Sequence, residues 1–196
     1  MKKVIVLICS VLVLVFAAKY TVSSNKNYIE NERVDLFAQH YIGLVVQSGD
    51  QESWGFDKDD DLDEITVGEG ILLYLCIGNK ILDDDLLFYP IYCGGKMRTG
   101  IIMQGDQFVT TTGGSGYLSD YIALCYLLTG GSDYSVLSFR DQYLLMFDLD
   151  GETYLIGEVY QFSLPKGAFR LSIFFECFDA YVEEYRRLCP DMNCVG

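Results

Sequence analysis

The sequence predicts an α+β domain: an antiparallel β-meander sheet with flanking helices. Short β-rich runs alternate with two-residue turns that contain Gly, Asn or Asp, a pattern typical of β-hairpins. Three longer segments instead repeat apolar residues at intervals of three and four, which is typical of helices. The order is helix, strand, then three strands and a helix twice, which suggests two βββα halves. We expect the sheet on one side of the domain and the helices on the other.

The beginning of the chain has the pattern of a secretory signal peptide. Two lysines precede an uncharged apolar run from Val4 to Ala18, which is shorter than the roughly 20 residues that span a bilayer. We therefore expect a secreted or extracytoplasmic protein with no membrane span after leader removal, and an uncleaved membrane anchor is the alternative. The chain divides into a signal peptide at 1–18, a polar spacer at 19–28 and a single α+β domain at 29–196.

The composition is strongly acidic. The chain has 14 basic and 28 acidic residues and a formal net charge of −14. Removal of the leader with its two lysines leaves 12 basic against 28 acidic residues, a net charge of −16. Nucleic acid and anionic membranes are disfavoured as partners, because binding to phosphate backbones depends on clustered Lys and Arg. Such a charge keeps an exported protein soluble and favours cationic partners.

In the first half, the predicted helix extends from Glu30 to Val46, with Leu36, His40 and Leu44 on its apolar side. Pro90 cannot donate a backbone hydrogen bond, so its strand is expected to be an edge strand or to contain a bulge. The strands predicted after this helix are Thr66–Ile77, Leu86–Cys93, Lys96–Gln104 and Gln107–Thr112.

In the second half, a helix predicted over Gly116–Leu128 is apolar nearly all round, so we expect it to be buried. Gly130 favours its end, since glycine adopts the left-handed conformation without a Cβ penalty. The last helix is predicted to start at Ser163-Leu164-Pro165 and to stop at Pro190. The strands between the two helices are predicted at Tyr134–Phe139, Gln142–Leu149 and Glu152–Phe162.

The segment Asp57–Glu64, DKDDDLDE, is the candidate metal site. Asp57, Asp59, Asp61 and Asp63 match positions 1, 3, 5 and 7 of a calcium-binding EF-hand loop, but Leu62 replaces the glycine at position 6 and Gly68 the glutamate at position 12. A calcium loop of another type is the alternative. We expect an exposed connector between the first helix and the sheet that binds calcium weakly if at all, and no other cofactor.

No residue is assigned a catalytic role. His40 is the only histidine, and at its position a packed, hydrogen-bonded side chain is the preferred interpretation over a catalytic base. The glycine-rich stretch Thr110–Tyr117 lacks the lysine of a phosphate-binding loop, and a helix cap from Ser115 or Ser119 explains it. Among the six cysteines beyond the leader, Cys189 and Cys194 are expected to form a local disulfide, because the chain can turn at Pro190-Asp191.

These observations favour an exported, non-catalytic binding domain whose ligand is a protein, a peptide or cell-wall material. A carboxylate- or cysteine-dependent hydrolase and a calcium-binding extracellular protein are the alternatives. The segment from Ile65 to Val109 resembles small secreted bacterial β-rich domains, a resemblance that implies no particular function. Tyrosines that could line a carbohydrate or peptide surface are Tyr89, Tyr92, Tyr117, Tyr121 and Tyr126, and a core position is the preferred interpretation for them.

Overall fold

A computed structural model describes residues 32–131 and 133–188 of the 196-residue chain. The predicted leader, the spacer and the Cys189–Cys194 pair lie outside these residues. The helices are α1 (Glu32–Ser48), α2 (Leu118–Thr129) and α3 (Leu171–Leu188). The strands are β1 (Ile65–Val67), β2 (Ile71–Ile77), β3 (Lys80–Cys93), β4 (Lys96–Gln104), β5 (Gln107–Thr112), β6 (Tyr134–Phe139), β7 (Gln142–Leu149), β8 (Glu152–Ile156) and β9 (Ala168–Arg170).

The strands form one mostly antiparallel sheet, which confirms the α+β prediction. Eight strands lie in the order β5-β4-β3-β2-β6-β7-β8-β9, and β1 pairs with β3. Each half of the chain is a meander of four strands, β2 to β5 and β6 to β9, followed by a helix. The halves meet where β2 and β6 pair in parallel. Because parallel strands cannot be joined by a hairpin, the chain crosses over the sheet between them, and α2 lies on this crossover.

The pairing register shows that α1 and α3 cover the same face of the sheet. Leu72 of β2 pairs with Leu87, which packs against the α1 cluster. Two residues on, Tyr74 pairs with Leu137, which packs against α3. Residues two apart on a strand point to the same face. Helix α1 therefore covers one end of this face and α3 covers the other.

Helix α2 covers the opposite face. Leu73 and Val136, which are neighbours across β2 and β6, pack with Leu118 at the start of α2. The expected separation of sheet and helices onto two sides is therefore wrong, and the sheet lies between helices. The parallel pairing of β2 and β6 is the reason, since it places the crossover helix on the face that α1 and α3 leave uncovered.

Helix α1 is rotated relative to the predicted orientation. Its buried residues are spaced at four, three and four, as expected for one face of a helix, but Leu36, His40 and Leu44 are all exposed. The prediction of a packed His40 is therefore wrong. The buried stripe consists of Val34, Ala38, Tyr41 and Val45.

Strand β3 is an interior strand, although it contains Pro90. It pairs with β4 along one side and with both β1 and β2 along the other. Pro90 lies opposite the gap between β1 and β2, where its carbonyl accepts a hydrogen bond from the Gly68 N–H at 2.7 Å. A Cβ on Gly68 would lie 2.7 Å from Pro90 Cγ, so only glycine fits there. The edge-strand alternative is wrong, whereas bulges are present in the pairing with both neighbours.

The segment before α3 differs from its prediction. Strand β8 ends at Ile156, six residues before the predicted end of this strand at Phe162. Gly157 follows it, and a Cβ at this position would lie 2.8 Å from Leu144 Cγ. Residues 157–167 contain no helix or strand, and Pro165 lies within them. The chain then forms the short edge strand β9 before α3 begins at Leu171, so the predicted helix start is six residues too early.

Candidate functional site

A groove crosses the middle of the face that carries α1 and α3. Helix α1 contacts β1 and β4, whereas α3 contacts β8 and β9. Helix α3 also packs over one end of the central strands β2, β6 and β7, at Cys76, Leu137 and Leu144. The other end of these strands lines the groove. On this face Leu72, Tyr74, Ser135 and Met146 are therefore only partly buried. The uncovered strip of sheet is the candidate binding site.

The groove has a volume of about 560 Å³. This volume is in the range of about 300 to 1,000 Å³ that is typical of sites for small molecules and short peptides. Its floor is apolar, and polar groups stand at the end where β6 starts and β7 stops. The lining residues are Leu72, Tyr74, Ile81, Asp133, Tyr134, Ser135, Met146, Phe147, Asp148, Thr153 and Leu171.

The charge in the groove is negative. Tyr134 pairs with Phe147 at the end of the β6–β7 hairpin, and Asp133 and Asp148, which are adjacent to these two residues in the chain, both line the groove. Asp148 also pairs with Thr153, whose hydroxyl donates to Asp148 Oδ1 at 2.7 Å. Two carboxylates that line the same groove repel each other. Among the described residues that line the groove none is Lys, Arg or His, so the groove attracts a cationic group.

The acidic segment Asp57–Glu64 is a connector between α1 and β1, and Arg98 anchors it. The guanidinium of Arg98 binds Asp57 and Asp60, with N–O distances of 2.6 Å to each carboxylate. The side chains of Arg98 and Asp60 are 14% and 10% exposed, whereas that of Asp57 is 67% exposed. Burial lowers the pKa of Arg98, but the hydrogen bond and charge of Asp60, together with those of Asp57, outweigh it, so this pKa lies above its ordinary value.

The structure does not bring the four candidate calcium ligands together. Asp57 binds Arg98, and Asp61 accepts a hydrogen bond from the Asp63 N–H at 3.0 Å at the start of a short 3-10 helix. Asp59 is exposed. Within residues 32–131 and 133–188, no group of three or more His, Cys, Asp or Glu side chains is arranged to hold a metal ion. Weak calcium binding by this loop stays a prediction.

The glycine-rich stretch before α2 is shaped by packing. Ser115 is buried and its hydroxyl contacts the Thr112 hydroxyl at 3.0 Å. Ser119 donates to the Gly116 carbonyl at 2.7 Å. Neither serine accepts a hydrogen bond from the first turn of α2, where the residue before the helix, Tyr117, also provides no side-chain cap. The prediction of a serine cap is therefore wrong.

Most of the cysteines in the described residues are buried thiols. Cys76, Cys93 and Cys125 are buried free thiols, and burial raises the pKa of Cys76 to about 11 and also that of Cys125. The thiolate is the nucleophile, so a raised pKa makes these side chains poor nucleophiles. Cys177 of α3 lines a second cavity, of about 330 Å³, together with Glu184. His40 lies on α1, at the other end of the sheet.

The outer surface of α2 is apolar and exposed, so the prediction that this helix is buried is wrong. In α2 only Leu118 and Cys125 are buried, while Leu127 is 70% exposed and its neighbours Tyr126 and Leu128 are also exposed. A single helix that packs on one face of a sheet buries only the side that faces the sheet, and its outer side stays exposed. Among the candidate binding tyrosines, Tyr89 is in the core, Tyr92 and Tyr121 are half-buried, and Tyr117 and Tyr126 are exposed.

Sequence reasoning missed the residues of the groove. Asp148 is the only charged residue in the apolar run of β7, and this interruption was a usable signal. Asp133 directly precedes the first residue of β6 and is part of no recognisable motif. Arg98 was missed as well, although an arginine within the apolar strand β4 indicates a buried ionic partner.

None of the described helices has the length and apolar character that crossing a membrane requires. Comparisons with protein-family models, with curated proteins and with solved structures find no match for this chain.

Proposed function

We propose that this protein is an exported, non-catalytic interaction domain that binds a peptide segment of a partner in the central groove. The observation that carries the proposal is the strip of partly buried sheet between α1 and α3. An extended segment fits such a strip, because its side chains can reach the floor while its backbone lies between the two helices.

The chemistry of the ionisable groups supports binding over hydrolysis. A hydrolase needs a nucleophile or base placed in a pocket with a pKa suited to proton transfer. The groove instead holds the Tyr134 phenol, whose pKa is raised by burial, and the carboxylates of Asp133 and Asp148, both of which are exposed to solvent. The second cavity, which Cys177 lines, has no histidine among its described lining residues that could serve as the base for a thiol nucleophile. A cysteine-dependent mechanism is therefore the weaker proposal.

Export is the second part of the proposal and rests on the apolar run Val4–Ala18. N-terminal sequencing of the protein recovered from the culture medium or envelope of the producing cell tests it. We expect the mature chain to begin at Ala18 or Lys19. A membrane-bound product that retains Met1 would show that the run is an anchor.

Panning of a displayed random peptide library on the protein tests the binding site. The variant Ser135→Trp fills the groove, since Ser135 is on its floor. The control variant Leu127→Lys alters the exposed surface of α2 on the opposite face. We expect the enriched peptides to bind wild type and Leu127→Lys with equal affinity. Their affinity for Ser135→Trp should be lower by a factor of about ten or more, which corresponds to a loss of about 1.4 kcal/mol of binding free energy.

Circular dichroism and thermal unfolding of Ser135→Trp establish that the variant is folded before binding is compared. Equal binding to wild type and Ser135→Trp would exclude the groove as the site. Failure of the library to yield any peptide that the folded wild type binds would also contradict the proposed function.

A further inference from the structure

We propose that the groove selects a cationic peptide segment, one in which an Arg or Lys side chain stands next to apolar side chains. This inference rests on the proposed function and adds the chemical class of the ligand. It is carried by the arrangement of charge and apolar surface in the groove.

The two carboxylates of the groove define where the cationic group binds. Asp133 directly precedes β6, Asp148 is near the end of β7, and both carboxylates line the groove. Their repulsion is relieved when a guanidinium or ammonium group lies between or above them. The Thr153 hydroxyl donates to one oxygen of Asp148 and so fixes the orientation of that carboxylate. The second oxygen is left to accept from a ligand.

The apolar floor of the groove favours a ligand that also has apolar side chains. Leu72, Tyr74 and Met146 are half-buried, and Leu171 closes the groove on the side of α3. Covering this surface with apolar side chains contributes about 25 cal/mol for each Å² removed from water. A small hydrophilic cation gains nothing from such a floor, whereas a peptide with adjacent apolar and basic side chains uses both parts of the groove. The chain's net charge of −14 further attracts such a peptide and repels acidic ones.

Fluorescence anisotropy with three short labelled peptides tests this inference on the purified protein. The first alternates arginine with leucine, the second replaces each arginine by glutamine, and the third replaces each leucine by glutamine. We expect the arginine-leucine peptide to bind about tenfold more tightly than either of the other two. Its affinity is expected to fall when the ionic strength is raised from about 0.05 M to about 0.5 M.

Charge-neutralising variants locate the interaction. Asp148→Asn and Asp133→Asn remove one carboxylate each from the groove. Asp141→Asn is the matched control, because Asp141 is also exposed and lies in the turn at the other end of β7. Seven residues of extended strand place it about 23 Å from Asp148. We expect each groove variant to weaken binding of the arginine-leucine peptide about fivefold to tenfold, and Asp141→Asn to change it less than about twofold.

Several results would overturn the inference. An equal loss in Asp141→Asn and Asp148→Asn would mean that the net charge of the protein attracts the peptide without a site. If spermine displaced the labelled peptide as effectively as the unlabelled peptide does, the groove would be a site for small cations and not for peptides. If the glutamine-leucine peptide bound as tightly as the arginine-leucine peptide, and Ser135→Trp abolished this binding, the ligand would not need a cationic side chain. The proposed function would still stand in that case.

Discussion

Arg98 is the residue that turns an acidic loop into an ordered connector. Six carboxylates in eight positions repel one another, and a solvated loop was the simplest expectation for them. One guanidinium from β4 binds two of these carboxylates and so fixes the loop against the sheet. The Cys93 thiol contributes a further contact, since it donates to the Asp61 carbonyl at 3.1 Å.

The two partners of Arg98 are expected to differ in their effect on stability. Asp60→Ala leaves a buried guanidinium without its buried partner and should lower the free energy of unfolding by about 2 to 3 kcal/mol. Asp57→Ala removes a partner that is 67% exposed, and it should cost less than about 1 kcal/mol because solvent screens that pair. Urea unfolding of both variants measures the difference. Equal effects would show that burial of Asp60 does not strengthen the interaction.

At the scale of elements, local signals predicted hairpins well. Strands β4, β5, β6 and β7 begin and end where the sequence places them, because two-residue turns such as Gly94-Gly95 and Arg140-Asp141 fix both ends of each hairpin. Features that depend on distant parts of the chain were missed. Pro90 is tolerated inside the sheet only because β1 and β2 leave a gap opposite it, and no local pattern reports such a gap.

The spacing of apolar residues alone also could not predict which side of each helix is buried. In α1 the sequence offers two stripes of apolar residues, one with Leu36 and Leu44 and the other with Val34 and Val45. The sheet surface, to which residues between Ile65 and Met103 contribute, decides which stripe is buried. In α2 nearly every position is apolar, so the pattern contains no information about orientation.

The apolar outer surface of α2 is expected to be dispensable for stability. Leu127→Lys should change the free energy of unfolding by less than about 0.5 kcal/mol, since Leu127 is 70% exposed and lysine is a good helix former. Leu118→Ala in the same helix should cost about 3 kcal/mol or more, because Leu118 is fully buried and a cavity remains. Thermal unfolding compares the two variants. A large loss in Leu127→Lys would mean that this surface is covered in the folded protein.

At the scale of the whole molecule, burial of many weak acids makes stability depend on alkaline pH. Burial raises the pKa of Tyr143 to about 12 and that of Cys76 to about 11, and it also raises the pKa of Tyr134. A raised folded-state pKa stabilises the protein fully below the pKa of the unfolded group. This contribution is lost as the pH rises from the unfolded to the folded pKa.

The free energy of unfolding is therefore expected to fall as the pH rises above about 9. Cys76→Ala isolates one contribution: the loss between pH 8 and pH 10 should be about 1 kcal/mol smaller in this variant than in wild type. Urea unfolding at the two pH values measures it. Cys177→Ala, in which a half-buried thiol is removed, is the control. Identical pH dependence of wild type and Cys76→Ala would show that this thiol is not protected by burial.

The candidate site could not be predicted because it is a property of the assembled sheet. Asp133 and Asp148 are fifteen positions apart in sequence, and the turn at Arg140-Asp141 was enough to predict that both lie at the same end of the β6–β7 hairpin. The open strip beside them was not available, since it exists only because α1 and α3 cover the two ends of one face. The sequence identified the strands of the groove without indicating what covers them.

The parallel pairing of β2 and β6 also has a consequence for the order in which the molecule folds. Every other strand pair except that of β1 with β3 is a hairpin between consecutive strands, whereas Leu73 and Val136 are 63 positions apart. Closing a loop of this length costs more chain entropy than closing a two-residue turn. The two meanders are therefore free to form early and independently, and docking of one against the other along β2 and β6 becomes the slow step of folding.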